Sequence, residues 1–344
     1  MLLSRSRVAV FAAILTLGTL TTDAKASWCS DGNTVKFAGI SWESGAFITA
    51  VMMKIFNKGY DCRVEQVPGN SIILEQATAS NDIQIFAEEW VGRSDVWNKA
   101  VRQGKVREIG KTFVGASEGW FVPDYVIHGD KKRGILPMAP QLHSVSQLSD
   151  PEMVKLFADQ EEPSKGRFLN CPSGWTCEKL SSAKLTAYQL DKHYVNFRPG
   201  TGTALDTAIK SAYLQGRPIL FSYWQPTAIM GRFKLTQLAE PPYSDACWQE
   251  LVKSDGKRDQ GCAFPTPDVV YGVSSVFAKA APQLIAVLQK ATFPLAEVNS
   301  SLAYMSENNI DADAVADEFL RSKVNIWSQW VSDEAREKIA ISLK

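Results

Sequence analysis

The sequence predicts an α/β fold arranged as two units, and three patterns carry that reading. Strand-like and helix-like segments alternate between residues 35 and 86, and the alternation resumes between residues 166 and 224. From residue 281 onward the chain is mostly amphipathic helix. Alternation of this kind places strands in a parallel sheet with helices on its faces. Ligands of such sheets bind beyond the carboxyl ends of the strands.

Residues 35–40 alternate as a strand and break at Ser41-Trp42-Glu43-Ser44-Gly45. Residues 46–56 are apolar at helical spacing, with Gly59 as the stop. A second strand spans 62–67, a helix 74–79 and a third strand 83–86. The second unit begins near Gly119. There, 166–169 reads as a strand, followed by the Cys171-Pro172-Ser173-Gly174-Trp175-Thr176-Cys177 loop. Helices over 180–190 and 203–215 follow, the latter ending at Gly216. A strand over 218–223 then leads into Trp224-Gln225-Pro226. Residues 243–267 are polar and loop-like, bracketed by prolines. There is no repeat and no low-complexity run.

The first residues address the chain to an export pathway. Arg5 and Arg7 precede an uncharged apolar stretch over 8–20, and Ala24-Lys25-Ala26 supplies the small-x-small cleavage pattern. Residues 1–26 are therefore expected to be a cleaved secretory signal. Thirteen apolar residues are too few to cross a bilayer core of about 30 Å. The mature chain is expected in the periplasm.

Composition narrows the function. The chain is 45% hydrophobic and 22% charged, with 37 basic and 37 acidic side chains. That is globular, with no basic field for nucleic acid. Six cysteines in an exported chain read as disulfides. Locality favours Cys171–Cys177 and Cys247–Cys262 among the fifteen connectivities that six cysteines allow, which leaves Cys29–Cys62. Only three histidines exist, none at ligand spacing from a cysteine, so no metal is expected. No G-x-S-x-G elbow, P-loop or H-E-x-x-H motif is present. Catalytic residues and cofactors are accordingly not expected, and a periplasmic hydrolase is a poor second class.

Tryptophan supplies the positive signal. The chain has ten, and Trp42, Trp90, Trp120 and Trp224 each fall at a strand end or turn. Any one alone is as readily a core residue. Converging indoles, however, form a cage whose negative faces attract a cation that hydrogen bonds cannot satisfy.

At these residues the chain resembles the binding-protein family of ABC importers for glycine betaine, choline and related quaternary amines. Phe37-Ala38-Gly39-Ile40-Ser41-Trp42 resembles that family's first strand and cage tryptophan. Asp82-Ile83-Gln84-Ile85-Phe86-Ala87-Glu88-Glu89-Trp90 resembles its second such segment. Gly119-Trp120-Phe121-Val122-Pro123 stands where relatives place a Tyr or Trp at the crossover, with Tyr125 just beyond. Phe221-Ser222-Tyr223-Trp224-Gln225-Pro226 resembles the family's Trp-x-Pro turn. The likeness runs from about residue 34 to the C-terminus.

The resemblance implies a two-lobed periplasmic binding protein fold of type II, with the ligand in a hinged interlobe cleft. Lobe one would hold residues 27–117 and 226–344, and lobe two 118–225. It implies a quaternary-ammonium ligand, an inner-membrane ABC permease as partner, and a monomer. Other methylated or delocalised cations, such as carnitine, trimethylamine oxide or ergothioneine, are the runners-up. The expected ligand contacts are Trp42, Trp90, Trp120 and Trp224, joined by Glu43, Ser44, Tyr125 and Trp175. Choline-preferring relatives carry Asp where this chain has Ser44, with Glu43 beside it. Glu88, Glu89 and Glu118 also flank the tryptophans, as candidates to meet the cation or a ligand hydroxyl. The turn from Ser173 to Cys177 opens a helix suited to a ligand carboxylate, or is simply an N-cap held by a disulfide. Trp175 reads first as a cover for that disulfide and second as a fifth cage wall.

Overall fold

The computed structural model describes residues 27–253, 256 and 258–343. The expected signal segment lies outside them. Among the described residues, ten strands form two sheets of five, one in each lobe. The first contains β1 (Thr34–Gly39), β2 (Arg63–Pro68), β3 (Ile85–Trp90), β4 (Val106–Phe113) and β10 (Val269–Ser274). The second contains β5 (Ser117–Pro123), β6 (Gly166–Leu169), β7 (Tyr194–Phe197), β8 (Leu220–Gln225) and β9 (Leu235–Gln237).

Strand order is β2-β1-β3-β10-β4 in the first sheet and β7-β6-β8-β5-β9 in the second. Each sheet is mixed rather than wholly parallel. β1 runs parallel to β2 and β3, whereas β10 is antiparallel to β3 and β4. Likewise β6 is parallel to β7 and β8, while β5 is antiparallel to β8 and β9. The antiparallel member is in each case the strand that enters from the other lobe.

Local sequence explains the main elements. The helix Glu43–Tyr60 buries Phe47, Ile48, Val51, Met52, Ile55 and Phe56, a helical stripe against the first sheet. It stops where Asp61 takes a left-handed conformation and its N–H bonds to Phe56 O. Every residue of β10 is buried, and Gly272 is required there: a Cβ would sit 2.4 Å from the Trp97 ring. Helices over Pro282–Lys290, Leu295–Asn308, Ala312–Ser322 and Asp333–Ser342 close the first core around Phe293, Phe319, Trp327 and Trp330. The disulfides are Cys171–Cys177 and Cys247–Cys262, the two pairings that locality favours, and Cys29–Cys62, the pairing that they leave.

Two features differ from the sequence reading. After β8 the chain touches lobe one through the helix Ala228–Arg232, where Ala228 joins the first core, and then returns. β9 pairs with β5 in the second sheet. Residues 243–267 are not all loop. The helix Asp245–Val252, capped by Ser244, packs Trp248 and Leu251 with Leu180, Ala183 and Ala187 of lobe two. These segments, assigned by sequence to lobe one, therefore stand in lobe two. The return to lobe one comes at β10, because the pairing of β9 with β5 and the packing of Trp248 and Leu251 on Leu180, Ala183 and Ala187 hold the intervening chain.

Candidate functional site

A cavity enclosing about 450 Å³ of empty space, part of it open to solvent, lies between the lobes. Lobe one contributes Trp42, Ser71, Trp90 and Arg93 to its walls. Lobe two contributes Glu118 from β5, Ser222, Tyr223 and Trp224 from β8, and the Trp175-Thr176-Cys177 turn.

Four indoles line this space, and topology puts each there. Trp42 follows β1 and is the extended residue that caps the helix Glu43–Tyr60. Trp90 ends β3, and Trp224 lies near the end of β8. Trp175 precedes the helix Thr176–Ala187 and stands between the lobes. Its ring centroid is 5.4 Å from that of Trp42 and 5.7 Å from that of Trp224, edge-on in both cases. Trp175 is thus a wall of the cavity and not merely a cover for the adjacent disulfide.

Behind the lobe-one indoles lies the carboxylate of Glu88. Glu88 on β3 is fully buried, and its Oε1 accepts three hydrogen bonds: Trp42 Nε1 at 2.6 Å, Trp90 Nε1 at 3.0 Å and Ser44 Oγ at 3.1 Å. Burial pushes its carboxyl up to about 7, against the opposing pull of those donors. Ser44, expected to meet ligand, is instead a buried donor to Glu88 outside the cavity wall. Glu43 also stands off the wall. Burial, helped by the nearby Asp206 of lobe two, raises its carboxyl to about 7. Asp206 is raised by burial to about 6, although it accepts the Tyr223 hydroxyl at 2.5 Å.

Two expected contacts lie elsewhere. Trp120 is completely buried in the second core, 4.3 Å from Phe168 and 5.5 Å from Tyr188 between ring centroids. Strand geometry explains why. Glu118 and Trp120 share one face of β5, and two residues along a strand separate them by roughly 7 Å. Glu118 meets the cavity while Trp120 points into the lobe. Tyr125 is likewise core, its hydroxyl donating to Arg217 O at 2.7 Å with Ala212 O also in reach at 3.2 Å.

Sequence reasoning missed Arg93. It pairs with Glu118 across the lobes, donates to Val91 O at 3.2 Å and Pro265 O at 3.0 Å, and lies over the Trp248 ring at 5.1 Å. All three guanidinium nitrogens are occupied. The only sequence signal was its place three residues after Trp90. Among the described residues no cluster of side chains suits a metal ion.

Characterised protein sequences give no match. Solved structures do. The glycine betaine/L-proline-binding protein ProX from Borrelia burgdorferi superposes with a TM-score of 0.69 at 16% identity, over 89% of this chain and 100% of that one. An ABC-transporter choline binding protein in complex with choline gives 0.68 at 14%, over 90% and 98%. Lactococcal OpuAC in its closed form with glycine betaine gives 0.66 at 15%, over 87% and 99%. At such identities the likeness shows the two-lobed type II periplasmic binding fold. The family described as the substrate binding domain of ABC-type glycine betaine transport systems matches residues 33–322, which is most of the sequence, and the chain belongs to that family of transport binding proteins rather than to any family of enzymes.

Proposed function

We propose that this protein captures a quaternary-ammonium compound of the glycine betaine or choline type in the interlobe cavity and delivers it to an inner-membrane ABC permease. The observation that carries the reading is the set of four indoles, Trp42, Trp90, Trp175 and Trp224, on one cavity between the lobes. A quaternary ammonium offers no N–H and is held by π-faces and apolar contact. Each desolvated face contributes about 2 kcal/mol. Three or four approach the roughly 8 kcal/mol of micromolar binding, before ordering costs are subtracted.

The polar end of the ligand has a place as well. Thr176 and Cys177 open a helix of twelve residues at the cavity wall, where first-turn N–H groups face no helical partner. A hydroxyl or carboxylate directed there leaves the ammonium among the indoles. Closure of the lobes about the crossings that lead into β5 (113–117) and β10 (264–269) would sequester the ligand by hinge motion. The protein acts as a monomer in the periplasm after its signal is removed.

A thermal-shift panel tests this reading, since a ligand that binds only the native state raises the melting temperature. Choline, glycine betaine and carnitine are compared with amino acids and sugars. A rise with at least one quaternary amine and none with sugars is expected. A panel in which sugars stabilise and no quaternary amine does contradicts it.

A further inference from the structure

Glu88 does not line the cavity, yet both lobe-one indoles are fastened to it. Its Oε1 takes the two indole N–H groups and the Ser44 hydroxyl, so that oxygen is saturated as an acceptor. Its Oε2 is buried and has no hydrogen-bond partner. On the neighbouring strand β10, Tyr271 is buried with its hydroxyl also unpartnered. A carboxyl so placed has one oxygen committed and one free to carry a proton.

We propose that Glu88 is the positioning residue of the cation site, fixing Trp42 and Trp90 through one oxygen and setting the charge behind them by gain or loss of a proton on the other. The inference rests on the reading of the cavity as a cation site. A hydrogen bond from each indole to an ionised oxygen holds the ring plane and polarises electron density into the ring, which strengthens attraction for a cation on its face. An ionised carboxylate behind the rings also attracts that cation directly through a low-dielectric wall. Binding and ionisation are therefore linked. When a permanent cation enters, the proton on Oε2 leaves for bulk buffer, and the cation's charge takes the place of the proton's.

The groups packed on Glu88 leave little else to titrate. They are Trp42 and Ser44 at the start of the helix Glu43–Tyr60, Trp90 on its own strand and Tyr271 on β10. Burial drives the Tyr271 phenol well up, so it stays neutral. Arg93 and Glu118, at the cavity wall, neutralise one another. Glu88 is raised to about 7 by burial, so its ionisation falls in an accessible range. Glu43 and Asp206 titrate nearby and need a separate control.

Calorimetry on the full chain with choline chloride and tetramethylammonium chloride decides the matter, because neither cation changes charge with pH. Titrations at pH 5.5 and pH 8, and near pH 7 in two buffers of different ionisation enthalpy, give affinity and protons exchanged. If the cation lowers the Glu88 pKa by about one unit, the affinity should be about tenfold tighter at pH 8. Proton release should be seen near pH 7. Glu88→Gln keeps an acceptor oxygen but cannot ionise. It should bind with the weaker, acid-limit affinity at both pH values and release nothing, while Glu43→Gln and Asp206→Asn each retain the release. Binding by the native chain with no proton release and no pH dependence overturns the proposal, as does release that survives in Glu88→Gln. Those outcomes leave the cation-site reading standing. If neither cation binds at any pH, both fall together.

Discussion

Arg93, just past β3, and Glu118, on β5, form an ion pair that ties the two lobes together at the wall of the cavity. Both side chains are nearly excluded from solvent, 3% and 7% exposed respectively. Removing one partner of such a pair leaves the other buried and uncompensated. Glu118→Gln is therefore expected to destabilise the chain by roughly 3 kcal/mol. Replacing both, as Arg93→Met with Glu118→Leu, should recover much of that loss. Denaturant unfolding of the singles and the double checks it. Equal destabilisation by the double and the sum of the singles would mean the two residues do not interact.

The tryptophans separate into two groups with opposite expected behaviour. Trp224→Leu and Trp90→Leu remove an indole face from the cavity and should weaken a quaternary amine by ~1–2 kcal/mol each. Trp120→Leu removes a ring from the second core and should lower stability by roughly 3 kcal/mol while leaving affinity intact. Parallel calorimetry and thermal unfolding distinguish the outcomes. Loss of affinity in Trp120→Leu without loss of stability would return that residue to the site.

Stability should fall as pH rises through the neutral range, opposite to ordinary acid denaturation. Glu43 and Glu88 are raised to about 7 and Asp206 to about 6, while Glu75 and Glu89 are raised by burial, Glu89 also by the charges of Glu75 and Glu108. Each carboxyl thus holds its proton more tightly folded than unfolded. Their contribution is fully present below the unfolded value near 4; it is lost as pH climbs through 6 and 7 for Asp206, Glu43 and Glu88, and through about 8 for Glu75. Asp159, lowered to about 2 mainly by Arg167, and Lys184, lowered to about 8 mainly by its burial, change little between pH 5 and 7. Melting temperature should decline from pH 5 to 8, and Glu43→Gln should raise it at pH 8 with little effect at pH 5. A rise over that interval contradicts the assignment.

The Cys247–Cys262 bridge spans 15 residues of sequence and starts within the helix Asp245–Val252. In the chain-entropy account a loop of that length contributes about 3 kcal/mol. A Cys247→Ala, Cys262→Ala pair should lose about that much in denaturant unfolding, and should leave ligand affinity unaltered because neither residue lines the cavity. Unchanged stability would show that the packing of Trp248 and Leu251 suffices to hold the segment.

Elements with a clean period were legible in the sequence. The helix Glu43–Tyr60 and the strands β1, β2, β6 and β8 declare themselves by apolar spacing and by Gly or polar breaks. β4 was not, because Arg107, Glu108 and Lys111 interrupt it at an exposed edge. The insertion of β10 between β3 and β4 was also hidden, since it joins segments far apart in sequence and no local pattern records a partner. For the cavity, the strand-end positions of Trp42, Trp90 and Trp224 were readable, whereas Trp120 lay one pleat too deep on β5. Trp175 was obscured by its disulfide loop. Arg93 and Asp206 were invisible, because what makes them matter is a neighbour in the opposite lobe.

Recognition of positive charge rather than shape is the property that defines the proposed cation cavity. Calorimetric titration of choline against 3,3-dimethylbutan-1-ol, which has carbon in place of the charged nitrogen, measures this directly. The indole-lined cavity predicts binding of choline near the micromolar range and a far weaker or undetectable interaction with the neutral isostere. Equal affinity for the two compounds, or binding of neither choline nor any other quaternary amine, would contradict it.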